Sequence, residues 1–322
     1  MRTKTSVHTI VLAALSIAGA LAPLPLGAQS PRLADSLLAS GALARAESAY
    51  YAAARARPRD PVARWALGRF LVARGATRVG AALLEESLQF GGDPVLVGRE
   101  LVRAYLQTRE FAPLAGLAAA SPGQRERARW LAAHEPRIVA PDSVVAAPFV
   151  RAEDTTSLAN IPIRVNGVAL VVSVSPVVRG LVVSRAVLGA RHLREFPAGA
   201  DTSGDVEVLA VADSVSIGRL TMLNQPVTVA RLPARTQGLI GLAEFGRFAP
   251  TVNPKSGRVL LRVDGSLHED VSGDRLPTLD QASGISVLRS GGWTLSQSDV
   301  ARVLRNREWT FDAKRGTLIV EW

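Results

Sequence analysis

The sequence predicts an α+β chain whose two classes of secondary structure are segregated, an α-helical repeat domain first and a mainly-β domain after it. Three observations carry this. A 34-residue period runs from Pro31 to about Ala120. The helical pattern stops between Glu135 and Leu158, where Pro136, Pro141 and Pro148 interrupt the chain. From Ile161 onward, short runs rich in Val, Ile and Leu alternate with Gly, Asn, Asp and Pro, the texture of successive strands.

The 322 residues, 48% hydrophobic and 20% charged, suffice for two packed domains and exclude a collagen-like or wholly disordered chain. Cysteine is absent, which excludes disulfides, thiolate metal sites and a cysteine nucleophile. The four histidines do not fall at metal-ligand spacing, so neither a metal nor a cofactor is expected. The net charge of +10 is carried almost entirely by arginine. Those arginines are scattered and aromatic platforms for bases are scarce. A solvated basic surface is therefore expected rather than a nucleic-acid partner.

Residues 1–28 read as a secretory signal peptide. Arg2 and Lys4 precede an apolar core from Ile10 to Ala22, and Pro23, Pro25, Gly27 and Ala28 close it. That core is shorter than the roughly 20 residues that span a bilayer, so no stable membrane span is expected after cleavage. A periplasmic or secreted location follows as an expectation. The remaining chain divides into a helical repeat domain (29–135), a linker or first irregular strand (136–158), a β domain (159–264) and a C-terminal extension (265–322).

Within the helical repeat, Leu33, Leu67 and Leu101 are 34 residues apart, as are Leu37, Leu71 and Tyr105. Gly41 and Gly75 match, and Arg109 takes the third equivalent position. Pro58, Asp60 and Pro61 mark one junction and Gly91, Gly92, Asp93 and Pro94 the next. Ser121 is placed to cap a terminal helix over Gln124 to Ala133.

These residues resemble tetratricopeptide repeats: Ala46, Tyr50, Ala53 and Pro58 follow that family's second-helix pattern, and Leu67, Gly68 and Gly75 its first-helix and turn pattern. The third unit departs from it, with Val102 where a small residue is expected and Arg109 in the turn. The resemblance implies a solenoid whose concave surface carries Trp65, Arg69, Arg99 and Arg103. Two readings stand side by side. One is a basic groove that holds an acidic peptide or a carboxylate terminus. The other is a solvated helix face with one packed tryptophan.

The β region carries a second resemblance. Ile161–Gly167 forms an entry hairpin, and Gly180-Leu-Val-Val-Ser184 follows a strand and a short loop. Asp213–Gly218 precedes Leu223–Val229, then come Gly238-Leu-Ile-Gly241 and a hairpin around Asn253 to Gly257. This order is similar to that of retroviral-type (retropepsin-like) single-lobe aspartic proteases, and it covers about Ile161 to Arg262. The resemblance implies a small β-barrel, a peptide cleft and a homodimer formed through the lobe.

The same resemblance places the family's Asp-Thr/Ser-Gly triplet at Ser175-Pro176-Val177, and no such triplet occurs elsewhere in the chain. The mechanism needs two carboxylates sharing one proton, and a serine hydroxyl does not hold that charge. Asp201 and Asp205, in the flap-like stretch, are the substitutes for a catalytic carboxylate. The sequence therefore points to a non-catalytic protein that binds peptides or protein partners. The alternative is an aspartic-type endopeptidase that takes its carboxylate from elsewhere in the chain or from a partner.

In the C-terminal extension, Thr310–Val320 resembles Thr251–Leu261 at an offset of 59 residues, each after a short helical stretch. A shortened second copy of the lobe's last part and two independent hairpins of a common type are both consistent with this.

Overall fold

The computed structural model describes residues 30–150, 157–188, 193–196, 207–267, 271–289, 292–294, 297–304 and 306–321. The expected signal peptide and both candidate aspartates, Asp201 and Asp205, lie outside these residues.

Local chemistry sets where most helices begin. Ser30, Asp60, Asp93 and Ser121 each accept hydrogen bonds from backbone N–H groups of the following turn, and a proline follows each of them. The side chain satisfies N–H groups that the helix leaves unpaired, and proline has no N–H to lose at that position. The helices so started are α1 (Pro31–Ala39), α3 (Pro61–Ala73), α5 (Pro94–Thr108) and α7 (Pro122–Ala133), and Ser121 with Gln124 completes a capping box. Between them lie α2 (Leu43–Ala56), α4 (Thr77–Gln89) and α6 (Phe111–Gly116). Gly68 and Gly80 let α3 and α4 cross closely, since a Cβ on either would stand under 3.0 Å from the other's carbonyl oxygen. Tyr50, Phe70, Leu84, Leu101 and Leu114 fill the spaces between helices.

The segment expected as a linker or first irregular strand contributes to both sheets. Strand β1 (Arg137–Val139) pairs antiparallel with β8 (Leu220–Ala230), and β2 (Val144–Pro148) pairs antiparallel with β11 (Arg258–Arg262). The remaining strands are β3 (Asn160–Val165), β4 (Val168–Ser175), β5 (Leu181–Ser184), β6 (Arg194–Phe196), β7 (Val208–Ile217), β9 (Gly238–Gly241), β10 (Thr251–Asn253), β12 (Asp274–Gln281), β13 (Gly284–Arg289), β14 (Gly292–Thr294), β15 (Trp309–Asp312) and β16 (Thr317–Val320). Three helices are interspersed: α8 (Arg185–Leu188), α9 (Leu242–Phe245), continued by a 3-10 turn, and α10 (Gln297–Leu304).

The first sheet runs β1-β8-β5-β9-β4-β3-β7-β6, and pairing of β7 with β8 closes it into a barrel. The sequence suggests separate strands at Val206–Ala212 and Ser214–Ile217. The structure joins them into β7, because Asp213 is exposed and leaves the ladder to β8 unbroken on either side. The second sheet runs β14-β13-β12-β16-β15-β10-β11-β2. It joins the last part of the lobe to the C-terminal extension, and one apolar core containing Val172, Phe245, Trp309 and Leu318 runs beneath both sheets.

The hairpins β10–β11 and β15–β16 lie side by side. Thr251 pairs with Thr310, 59 residues away, and their hydroxyls are 2.8 Å apart in a buried contact. Each hairpin turns through a glycine of positive φ, Gly257 at 62° and Gly316 at 54°. In each turn an Asn or Asp side chain, Asn253 or Asp312, accepts from a backbone N–H three residues on. The two segments that the sequence aligns thus share one turn chemistry and pair with each other about a local two-fold.

Candidate functional site

Strand β4 delivers Ser175 to a loop that ends at Gly180. Ser175 is buried and sits in parallel register with Gly241 of β9. The Gly241 N–H donates to the Gly180 carbonyl at 2.8 Å, and a Cβ on Gly241 would collide with the Val178 carbonyl oxygen. Glycine is therefore required where the loop crosses β9. The Ser175 hydroxyl accepts from the Val177 N–H at 3.3 Å. Val177 is 40% exposed. Ser184 ends β5 as a buried residue, and its N–H donates to Gln237.

The turn between β12 and β13 closes on this loop. The Ile285 N–H donates to the Pro176 carbonyl at 2.8 Å. Gly284, at φ 117°, lies so near that a Cβ would stand 2.6 Å from the same oxygen. The structure brings the Asp280 carboxylate to this corner. One oxygen is 3.3 Å from an Arg179 Nη, and the other accepts from the Gln107 amide. The Asp280 carboxylate is thus held by Arg179 on one oxygen and by Gln107 on the other. Asp264 accepts from the Ser266 N–H and hydroxyl.

The residues expected on the concave helical face separate into three environments. Trp65 and Arg69 are in contact, with the guanidinium 4.7 Å from the ring centroid, and Arg69 also pairs with Asp35 at 2.7 Å. Arg103 is turned inward: it pairs with Glu100 at 2.6 Å and donates to the Asp280 carbonyl oxygen at 2.7 Å. Burial pushes the Arg103 guanidinium below its ordinary range, opposed by Glu100 and Asp280. Arg99 is exposed. Arg103 is thus engaged by the C-terminal extension of its own chain.

Sequence reasoning missed the residues that join the helices to the β region. The turns at Gly41, Gly75 and Arg109, one period apart and all of positive φ, meet the β region together. A Cβ on Gly41 would stand 3.1 Å from Leu288 Cδ1, and one on Gly75 would collide with the Ala313 carbonyl oxygen. Arg74 donates to the Thr278 and Gly316 carbonyls at 2.6 and 2.8 Å. Arg109 donates to Glu244 and to Gln225, both at 2.7 Å, and Arg247 also pairs with Glu244 at 2.7 Å. Burial alone would raise the Glu244 carboxyl, but Arg109 and Arg247 outweigh it and hold the group at about 2. The one available signal was Arg109 itself, which departs from the repeat at the position where an ion pair needs a side chain and glycine offers none.

Farther along the same interface, Arg127 of α7 is buried and donates to the Val227 carbonyl at 3.2 Å, and burial pushes it down to about 10. Among the described residues, no group of three or more His, Cys, Asp or Glu side chains is placed to hold a metal ion. No helix among them is long and apolar enough to cross a membrane.

No protein-family model matches the sequence, and no curated protein matches it. Among solved structures, the chain is similar to the crystal structure of a retropepsin-like aspartic protease from Rickettsia conorii, at 18% identity and a TM-score of 0.27. The match covers 39% of this chain and 92% of that one.

Proposed function

We propose that the chain is an exported, non-catalytic retropepsin-like protein that binds peptides or protein partners, with a tetratricopeptide-like helical stack as its second module. The observation that carries the reading is Ser175. It ends β4 against Gly241, where the resembling family needs an ionisable acid, and it supplies only a hydroxyl. The flanking residues support the same reading. Pro176 lacks an N–H, and Val177 puts a branched side chain where close loop packing favours glycine. The nearby carboxylate, Asp280, is committed to Arg179 and Gln107. A binding role needs no acid pair, because an extended peptide is held largely through its backbone.

A peptidase assay on the purified chain tests this. An unfolded protein substrate is offered from about pH 3 to 8, the range in which carboxylate dyads work, with and without a general aspartic-protease inhibitor. The expected result is no inhibitor-sensitive cleavage by folded protein. Inhibitor-sensitive cleavage overturns the reading, and mutation of Asp201, Asp205 and Asp280 then identifies the acid.

A further inference from the structure

One ribbon of the chain lies on both surfaces that the sequence offers as ligand sites. Strand β12 is in register with β16 over Asp274 to Pro277, and the Thr278 N–H still donates to the Gly316 carbonyl at 2.7 Å. Beyond that point it pairs with β13 on one side, and its other edge turns toward the inner helices. There Arg74 takes the carbonyl of Thr278 and Arg103 that of Asp280, at 2.6 and 2.7 Å. Alternate carbonyls along a strand point the same way, so Arg74, just past the end of α3, and Arg103, on α5, both take carbonyls of this edge, with Arg74 bridging to the Gly316 carbonyl as well. Gln107 takes the Asp280 carboxylate beside them. The ribbon continues to β14, where the Trp293 indole donates to the Leu38 carbonyl of α1 at 2.6 Å. Its tip meets the 175–180 loop through Ile285 and through Arg179, which bonds both Asp280 and the Gln281 carbonyl.

The ribbon leaves donors of this face unused. Among the described residues, the Arg103 Nε and the Trp65 indole N–H are buried without a hydrogen-bond partner. A buried donor left unpaired carries a desolvation cost that a better-matched ligand would remove.

We propose that residues 278–285 are a resident pseudo-ligand. The concave helical face is a receptor for the open edge of an extended strand, reading backbone carbonyls at positions i and i+2 and a carboxylate at i+2. In the intact chain this site is closed in cis, and the ribbon covers the 175–180 loop at the same time. Tethering gives the ribbon an effective concentration on the order of millimolar, so a free strand of equal intrinsic affinity is excluded at micromolar concentration. Breaking the Asp280 contacts opens both surfaces together. The inference rests on the helical face and not on the chemistry at Ser175, so peptidase activity would leave it intact.

The probe is a fluorescent synthetic peptide of residues 274–289, read by anisotropy against the purified full chain. The wild type should bind it weakly. Asp280→Ala removes a charge-assisted contact from the tethered ribbon but not from the peptide, and should tighten peptide binding roughly tenfold or more. Asp280→Asn keeps the side chain's shape and should give a smaller gain. Adding Arg103→Ala to Asp280→Ala should abolish the gain, and circular dichroism establishes that each variant is folded. Equal binding by wild type and folded Asp280→Ala, whether tight or undetectable, overturns the proposal. So does a gain that survives the loss of Arg103, or one that a scrambled peptide reproduces.

Discussion

The helical stack meets the β region along two surfaces that use opposite means. Its turn edge docks by shape and charge: Gly41 lies against the Leu288 side chain, Gly75 against the backbone of the β15–β16 turn, and Arg109 donates to Glu244 and Gln225. Elsewhere it docks by long side chains that reach backbone carbonyls, as Arg103 does at Asp280. At Gly75 the edge leaves no room for a Cβ, which would collide with the Ala313 carbonyl oxygen, whereas Arg103 reaches its partner through a long side chain. The difference shows that one stack meets its neighbour through close backbone approach at one edge and through long side chains elsewhere.

The sharpest test pairs two glycines of nearly equal backbone geometry. Gly75 has φ 88° and Gly91 has φ 86°, yet only Gly75 faces another part of the chain within 4 Å. Gly91→Ala should cost about 1 kcal/mol, the backbone cost alone. Gly75→Ala should cost about 4 kcal/mol or more, because its Cβ meets a backbone carbonyl. Urea denaturation midpoints measure both, and equal losses would mean that the edge does not dock through Gly75.

Next in size is the buried ion pair. Glu244→Gln should destabilise the chain by about 3 kcal/mol at pH 7, since it leaves Arg109 and Arg247 facing a neutral partner. The Glu244 carboxyl lies at about 2 in the folded chain against an ordinary 4.5. Its contribution is therefore fully present above pH 4.5 and is lost as pH falls toward 2. Thermal melts of the wild type should decline over that window, and those of Glu244→Gln should decline less. Parallel acid limbs would remove Glu244 from the account.

The concave face should respond more mildly. Arg103→Ala loses a hydrogen bond from a charged donor, worth about 1.5 kcal/mol. Arg99→Ala, on the exposed side of α5, should stay within about 0.5 kcal/mol of the wild type. A larger loss at Arg99 than at Arg103 would reverse the assignment of the inner face.

Much of the architecture was legible locally. The Ser-Pro and Asp-Pro pairs at residues 30, 60, 93 and 121 mark helix starts that the structure uses. The entry hairpin read at Ile161–Gly167 appears as β3 and β4, in register from Asn160 with Ser173 to Val165 with Val168. Less of the candidate site was legible. Asp280 sits near the end of strand β12, and its neighbours Gln107 and Arg179 are 173 and 101 residues away. A polar residue near a strand end looks the same whether it faces water or a distant arginine.

The sequence by itself determined the segregation of helices from strands, the cap and turn chemistry, and the aligned hairpins at 251 and 310. These depend on residues near one another, whose hydrogen bonds and backbone preferences are set within one turn. Only the tertiary structure decided what fills the helical face, why the third repeat carries Arg109 instead of glycine, and that the two hairpins pair with each other. Those outcomes depend on contacts between segments separated by tens to hundreds of residues. Such contacts are fixed by burial and by the pairing of buried charge, which leave no local periodicity to read.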